Sequence, residues 1–169
     1  MGIRHFDETL PENSGSTLGE LMMAEHPPSH HRKIVKTLYK ALAHRDTRTT
    51  AKLVAPDLEW WFHGPPQCQH MMRMLTGESR QLKFKFRPRS LKAVGDRVVA
   101  EGWEGKKEYW VQVWTVNKDG MVTQLREYFN TLVTVMVRVS EADDEMVKLW
   151  QSDSKERFRR SLPDIVLAI

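Results

Sequence analysis

Between residues 31 and 45 the apolar side chains Ile34, Leu38, Ala41 and Leu42 fall at i, i+4, i+7 and i+8 among polar neighbours. That spacing makes one apolar stripe and predicts a helix of about four turns. Asp46 stops it and can cap a second, shorter helix from Thr47 to Val54. This one ends at Ala55-Pro56, because a residue before proline avoids the α region. Asp57 to His63 then reads as a strand closed by Gly64-Pro65-Pro66. A third short helix follows, with Pro66 in its first turn, Cys68, Met71, Met72 and Leu75 on one face, and Gly77 where a helix end needs glycine. His70 falls on the opposite face.

After Gly77 the period changes to two. Leu82, Phe84 and Phe86 alternate with Lys83, Lys85 and Arg87, the pattern of a half-solvated strand. Gly95-Asp96 turns it into a strand from Arg97 to Glu104, and Gly105-Lys106-Lys107 leads into Glu108 to Val116. Asn117-Lys118-Asp119-Gly120 then turns into one long strand from Met121 to about Val139. Helices segregated onto one side of such a meander define an α+β architecture. A strongly curved antiparallel sheet with three N-terminal helices packed across its concave side is a cone, and its apolar interior is a pocket by default.

Composition adds boundaries to this picture. With 169 residues, 40% of them hydrophobic and 28% charged, the chain fits one globular domain plus tails. The net charge of +4 is unevenly shared. Residues 1–30 hold Arg4 against Asp7, Glu8, Glu12, Glu20 and Glu25, a net of −4, which leaves +8 for the rest. We expect an acidic, disordered leader over 1–28 with a short helical turn at Leu18 to Met23, a folded domain over 29–139, and a tail over 140–169. The tail carries a basic run from Lys155 to Arg160 and an apolar end, Ile165 to Ile169, that should dock on the domain. No apolar run approaches the roughly 18 residues of a membrane span, and residues 1–7 lack a signal core. The lone Cys68 cannot form an internal disulfide, so the cytoplasm is expected, with the nucleus open.

Several strings carry more than composition. Two helices, then Ala55-Pro56-Asp57-Leu58-Glu59-Trp60-Trp61-Phe62-His63-Gly64-Pro65-Pro66, His70 to Gly77, and Gln124-Leu125-Arg126-Glu127-Tyr128-Phe129-Asn130-Thr131 follow in order. Over residues 31–137 this closely resembles the plant wound-induced protein 1 and senescence-associated protein 20 family. Leu149 to Ser152 and Ser161 to Ile169 look like the ending of its longer members. The resemblance implies a nuclear transport factor 2-like, SnoaL-like cone, often homodimeric through the convex face of its sheet. It also implies a role in wounding, stress or senescence responses, and it brings no reaction with it.

Limonene-epoxide hydrolases resemble the chain more distantly. Their functional positions fall here on Trp61 and His63, on Gly102 and Glu104, and on Asn130. Water attack on an epoxide needs a base and an acid. Asn130 has no proton to release and Gly102 carries no partner group. Glu104 and His63 remain as candidate bases for an isomerase or hydrolase; the other reading of His63 is a cap on the Gly64-Pro65-Pro66 turn. No cofactor is implied. His30, His31, His63 and His70 lack the paired spacing that zinc requires, so no metal site is expected. Cys68 on an apolar stripe reads as packing.

Hairpin register decides which side chains line the cone. Pairing Asn117 with Met121 places Trp114 opposite Gln124, Gln112 opposite Arg126 and Trp110 opposite Tyr128. On that register Trp110, Gln112 and Trp114 enter the pocket with Tyr128 and Asn130, and a slip of one residue reverses this. The alternative is that both tryptophans pack a dimer interface. Six bases between Arg80 and Lys92 without an acid invite a nucleic-acid reading, but strict alternation and the lack of interleaved exposed aromatics argue against it.

Three classes of function follow. The first is a dimeric, non-catalytic pocket protein for a small apolar or amphipathic ligand, with Trp61, His63, Glu104, Trp110, Gln112, Trp114, Arg126, Tyr128 and Asn130 at the site. The second is an enzyme using Glu104 or His63. The third is an interaction scaffold. Tyr109, Val111 and Val113 make the second sheet face apolar, and something must cover it, either a partner subunit in a homodimer or the tail Ile165 to Ile169.

Overall fold

The computed structural model describes residues 27–78, 83–104, 108–139, 142, 145–153 and 162–169. The expected leader, its helical turn, the turn at 105–107 and the basic run at 155–160 lie outside the described residues or at their margin. Three helices precede the meander, as the periodicity predicts: α1 (Pro27–Ala43), α2 (Thr47–Leu53) and, after one strand, α3 (His70–Leu75). A single 3-10 turn, Pro66–Cys68, precedes α3. Ile34, Val35, Leu38, Tyr39, Ala41 and Leu42 are the buried stripe of α1. Asp46 caps α2 by accepting the Thr49 amide at 3.0 Å. Gly77 sits beyond α3 at a φ of +72°, the left-handed position its place in the sequence predicts.

The main sheet has the order β1-β5-β4-β3-β2. Its strands are β1 (Val54–His63), β2 (Pro88–Val94), β3 (Arg97–Glu104), β4 (Glu108–Val116) and β5 (Val122–Phe129). β2 to β5 form the expected antiparallel meander, and β1 joins its edge parallel to β5. An edge place lets β1 carry Pro56, which has no amide hydrogen to pair. Helices and the inward side chains of this curved sheet share one core: Leu38, Tyr39, Met71, Phe86, Trp110, Trp114, Leu125 and Phe129 are all within it.

Two sequence expectations need correction. Lys83 to Arg87 is not a regular strand; Phe84 and Phe86 still turn into the core while Lys83, Lys85 and Arg87 are exposed, so the two-residue alternation governs burial without ladder bonds. Gly102 shows why this segment lies so close. A Cβ there would meet Trp110 Cζ2 at 2.6 Å and the Arg87 carbonyl at 2.8 Å. The long strand from Met121 to Val139 breaks at Asn130, whose φ is +49°. Asn tolerates that conformation better than most residues. Its amide donates to the Tyr109 carbonyl at 2.7 Å and its side-chain Oδ1 accepts the Tyr109 amide at 3.2 Å, so the corner keeps its pairing.

Beyond the corner the chain builds a second sheet, β7-β6-β8, from β6 (Val133–Arg138), β7 (Met146–Gln151) and β8 (Ile165–Ala168). β8 pairs parallel with β6, Val135 opposite Leu167. This sheet lies on the outer face of the main one. Val99, Tyr109, Val111, Val113 and Tyr128 share a second core with Leu132, Val133, Val135, Trp150 and Leu167. The Tyr109 hydroxyl donates to Glu101 at 2.6 Å and lies 2.8 Å from Ser152 Oγ. The C-terminal strand β8, one of the two covers the sequence offers for this apolar face, packs on it together with β6 and β7, over the residues that motivated a partner subunit.

Candidate functional site

The turn at Asn117 to Gly120 forms as expected, with the Asn117 amide bonded to the Met121 carbonyl at 2.9 Å and Gly120 at a φ of +77°. The register beyond it is not the expected one. Val116 pairs with Val122 but Thr115 pairs with Gln124, so Thr123 is an extra residue in β5. A bulge of one residue exchanges the two faces of the strand. Trp110 therefore stands opposite Phe129, Gln112 opposite Glu127 and Trp114 opposite Leu125. Trp110, Gln112 and Trp114 do face the cone, yet Arg126 and Tyr128 face away from it, and Asn130 serves the corner.

The side chain that takes their place inside is Glu127, which sequence reasoning overlooked. Leu125 and Phe129, two residues to either side, are apolar and share its face, but only the register of β4 and β5 makes that face the core face. Glu127 is 1% exposed and Gln112 is fully buried. A chain of hydrogen bonds runs from Trp114 Nε1 to the Tyr39 hydroxyl at 3.0 Å, from that hydroxyl to Gln112 Oε1, and from Gln112 Nε2 to Glu127 Oε1 at 3.4 Å. Burial pushes the Glu127 carboxyl up to about 8, against the opposing pull of the nearby Trp60 indole. The acid thus holds its proton at neutral pH. Glu127 Oε2 and the indole nitrogens of Trp60 and Trp110 are buried without hydrogen-bond partners. Burial also raises Tyr39 well above the ordinary phenol range.

The remaining predicted residues do not converge. Glu104 ends β3, where its carboxylate pairs with Lys85. His63 lies on the outer side of β1 with its ring 6.3 Å from Tyr128. The two candidate bases share no cavity. Trp61 is 57% exposed and lies under the Arg126 guanidinium, 5.8 Å from its ring centre. Its indole donates to Glu59 at 2.6 Å, and Glu59 also accepts from Gln124 at 2.9 Å; these bonds hold the Glu59 carboxyl below its usual range. Among the described residues no cluster of three His, Cys, Asp or Glu side chains could hold a metal ion.

Open space lies elsewhere than on the predicted residues. A groove of about 820 Å3 runs between the C-terminal end of α1, α2, the start of β1 and α3. Leu42, Ala51, Val54, Leu58, Met72 and Leu75 make its wall apolar, and the exposed Arg45, Thr47 and Thr76 with the half-buried Thr50 are its polar members. Deeper in, the cone is filled by the chain's own side chains, Trp110, Trp114, Phe86 and Phe129 among them.

The curved sheet with helices across its concave side is the α+β cone expected from the sequence. The chain is similar in structure to an LEH-like epoxide hydrolase from M. tuberculosis, with a TM-score of 0.50 and 20% identity over 62% of this chain and 85% of that one. The likeness is one of fold. The wound-induced protein WI12 family matches residues 72–169, and the chain belongs to that family. It is 35% identical over 107 residues to wound-induced protein 1 of Solanum tuberosum and 34% identical over 111 residues to senescence associated gene 20 of Arabidopsis thaliana. Each match covers 58% of this chain and the whole of the relative.

Proposed function

We propose that this member of the wound-induced family is a non-catalytic binding protein for a small, mostly apolar molecule, and that the groove between α1, α2, β1 and α3 is its site. One observation carries the reading: the groove's volume and apolar wall are those of small-molecule sites, which run from roughly 300 to 1,000 Å3. Membership of the family of wound-induced protein 1 and senescence associated gene 20 supports reading that binding as part of a wounding or senescence response. The single buried thiol accords with a reducing compartment, cytoplasm or nucleus. Among the described residues no helix is long and apolar enough to cross a membrane. Catalysis by Glu104 or His63 finds no support in their separate positions.

Titrating terpenoids and medium-chain acids while following tryptophan emission and melting temperature tests the reading. At least one should raise the melting temperature of the native chain. Ala51→Trp, an exposed position on α2 that lines the groove, should abolish that rise and leave the melting temperature of the free protein nearly unchanged. A rise that survives Ala51→Trp would place the site elsewhere.

A further inference from the structure

One lining residue of the groove sits where a helix end ordinarily carries glycine. Past α1 the Asp46 amide bonds back to the Ala41 carbonyl at 2.8 Å and the Arg45 amide to the Leu42 carbonyl at 3.2 Å. That pair of bonds is the Schellman motif, whose residue just beyond the helix takes the left-handed conformation and is usually glycine, sometimes asparagine. Here it is Arg45, at a φ of +56°. A Cβ is unfavourable in that conformation, and glycine would be free of the cost. Arg45 returns nothing to the fold for it: the residue is exposed, and its guanidinium makes no hydrogen bond or ion pair with the described residues.

The arginine belongs instead to the groove. Among the described residues that line it, Arg45 alone is charged. The acid next in sequence, Asp46, is taken by α2, where it accepts from the Thr49 amide at 3.0 Å and the Thr49 hydroxyl at 2.5 Å. Glu78, exposed just past Gly77, is outside the lining. Two of the three threonine hydroxyls of the lining are spent as donors, Thr50 on the Asp46 carbonyl and Thr76 on the Met72 carbonyl, each at 2.9 Å. The guanidinium, with the Thr47 hydroxyl two residues on, is what the groove has left to donate.

One free cation on an otherwise apolar wall fits an amphipathic anion. A guanidinium presents paired N–H groups that match the two oxygens of a carboxylate. A phosphate monoester carries nearly two charges at neutral pH, and the lining offers no second cation to meet them. We propose that Arg45 is the specificity-determining residue of the groove, and that its ligand is an apolar molecule ending in one carboxylate. The hydrocarbon body lies against Leu42, Ala51, Leu58, Met72 and Leu75, and the carboxylate meets the guanidinium. This rests on the groove reading above. It also explains the left-handed arginine, since residues that break a local backbone rule gather at functional sites.

The test uses perillic acid and perillyl alcohol, which share one ring skeleton and at pH 7.5 differ in ending on a carboxylate or an uncharged hydroxyl. Each is titrated by calorimetry into the full chain at low salt. The native protein should bind perillate about tenfold more tightly than the alcohol, the effect of one charge-assisted pair partly open to water. Molar sodium chloride should remove most of that preference by screening. Arg45→Gln should bring perillate down to the affinity of the alcohol, and Arg45→Glu should put it below, with the alcohol bound as before in both. Arg45→Gly should also lose the preference while melting at least as high as the native chain, because it relieves the left-handed backbone. Equal binding of the two probes by the native protein overturns this inference and leaves the groove standing. A preference for perillate that survives Arg45→Gln and Arg45→Gly also overturns it. If neither probe binds, the groove reading falls and takes this inference with it.

Discussion

Glu127→Gln is expected to stabilise the protein, by an amount that grows with pH. The folded chain holds on Glu127 a proton that the unfolded chain releases near 4.5, because burial raises the carboxyl to about 8. Stability is therefore highest below pH 4.5, falls as pH rises between those two values, and loses nothing further from this group above about 8. The total loss is roughly 3 to 5 kcal/mol, a large share of the 5 to 15 kcal/mol that holds a typical domain folded. Glutamine keeps an Oε1 for Gln112 and cannot ionise. Denaturant midpoints at pH 5, 7 and 9 should drop steadily for the native chain relative to the variant. Parallel profiles would mean that the carboxylate is ionised inside the fold and is stabilised by something other than the groups around it.

Removing residues 162–169 should have an effect of similar or larger size. β8 supplies Leu167 to the outer core and packs Ile165 and Ile169 against it, and its amides bond across to Leu132 and Met136. Three such side chains contribute roughly 5 kcal/mol or more by burial alone, before the lost ladder is counted. The truncated chain should unfold at much lower denaturant and bind apolar dyes, because Val111, Val113 and Tyr109 lose part of their cover. Leu167→Ala should show a milder version, about 2 to 5 kcal/mol. If a second subunit were the true cover of this face, truncation would leave the stability of the dilute protein as it was.

What the sequence disclosed and what it hid divide along physical lines. The turns at Gly77, Gly95 and Asn117 to Gly120 were legible because each is fixed by local backbone chemistry, and all three glycines take the positive φ their positions imply. The stripe on α1 was legible because 3.6-residue periodicity is local too. Register was not. Thr123 carries no mark of a bulge, yet it decides that Glu127 rather than Arg126 and Tyr128 enters the core. The groove was hidden for another reason: its wall is gathered from four elements between Leu42 and Gly77, and no spacing along the chain announces their convergence. The corner at Asn130 fell between these cases, since an asparagine amid apolar strand residues is a hint of left-handed backbone that the long hydrophobic run around it obscures.

Methyl NMR on protein labelled at methionine tests the binding reading most directly. Met72 and Met74 line the groove, Met71 is sealed in the core beside it, and Met136 and Met146 lie in the C-terminal sheet. Titration with limonene should move the Met72 and Met74 methyl resonances in a saturable way, leave Met136 and Met146 where they are, and lose its effect in Ala51→Trp. A titration in which no methyl moves, or in which Met136 and Met146 move and Met72 and Met74 do not, would contradict a ligand site between the helices and β1.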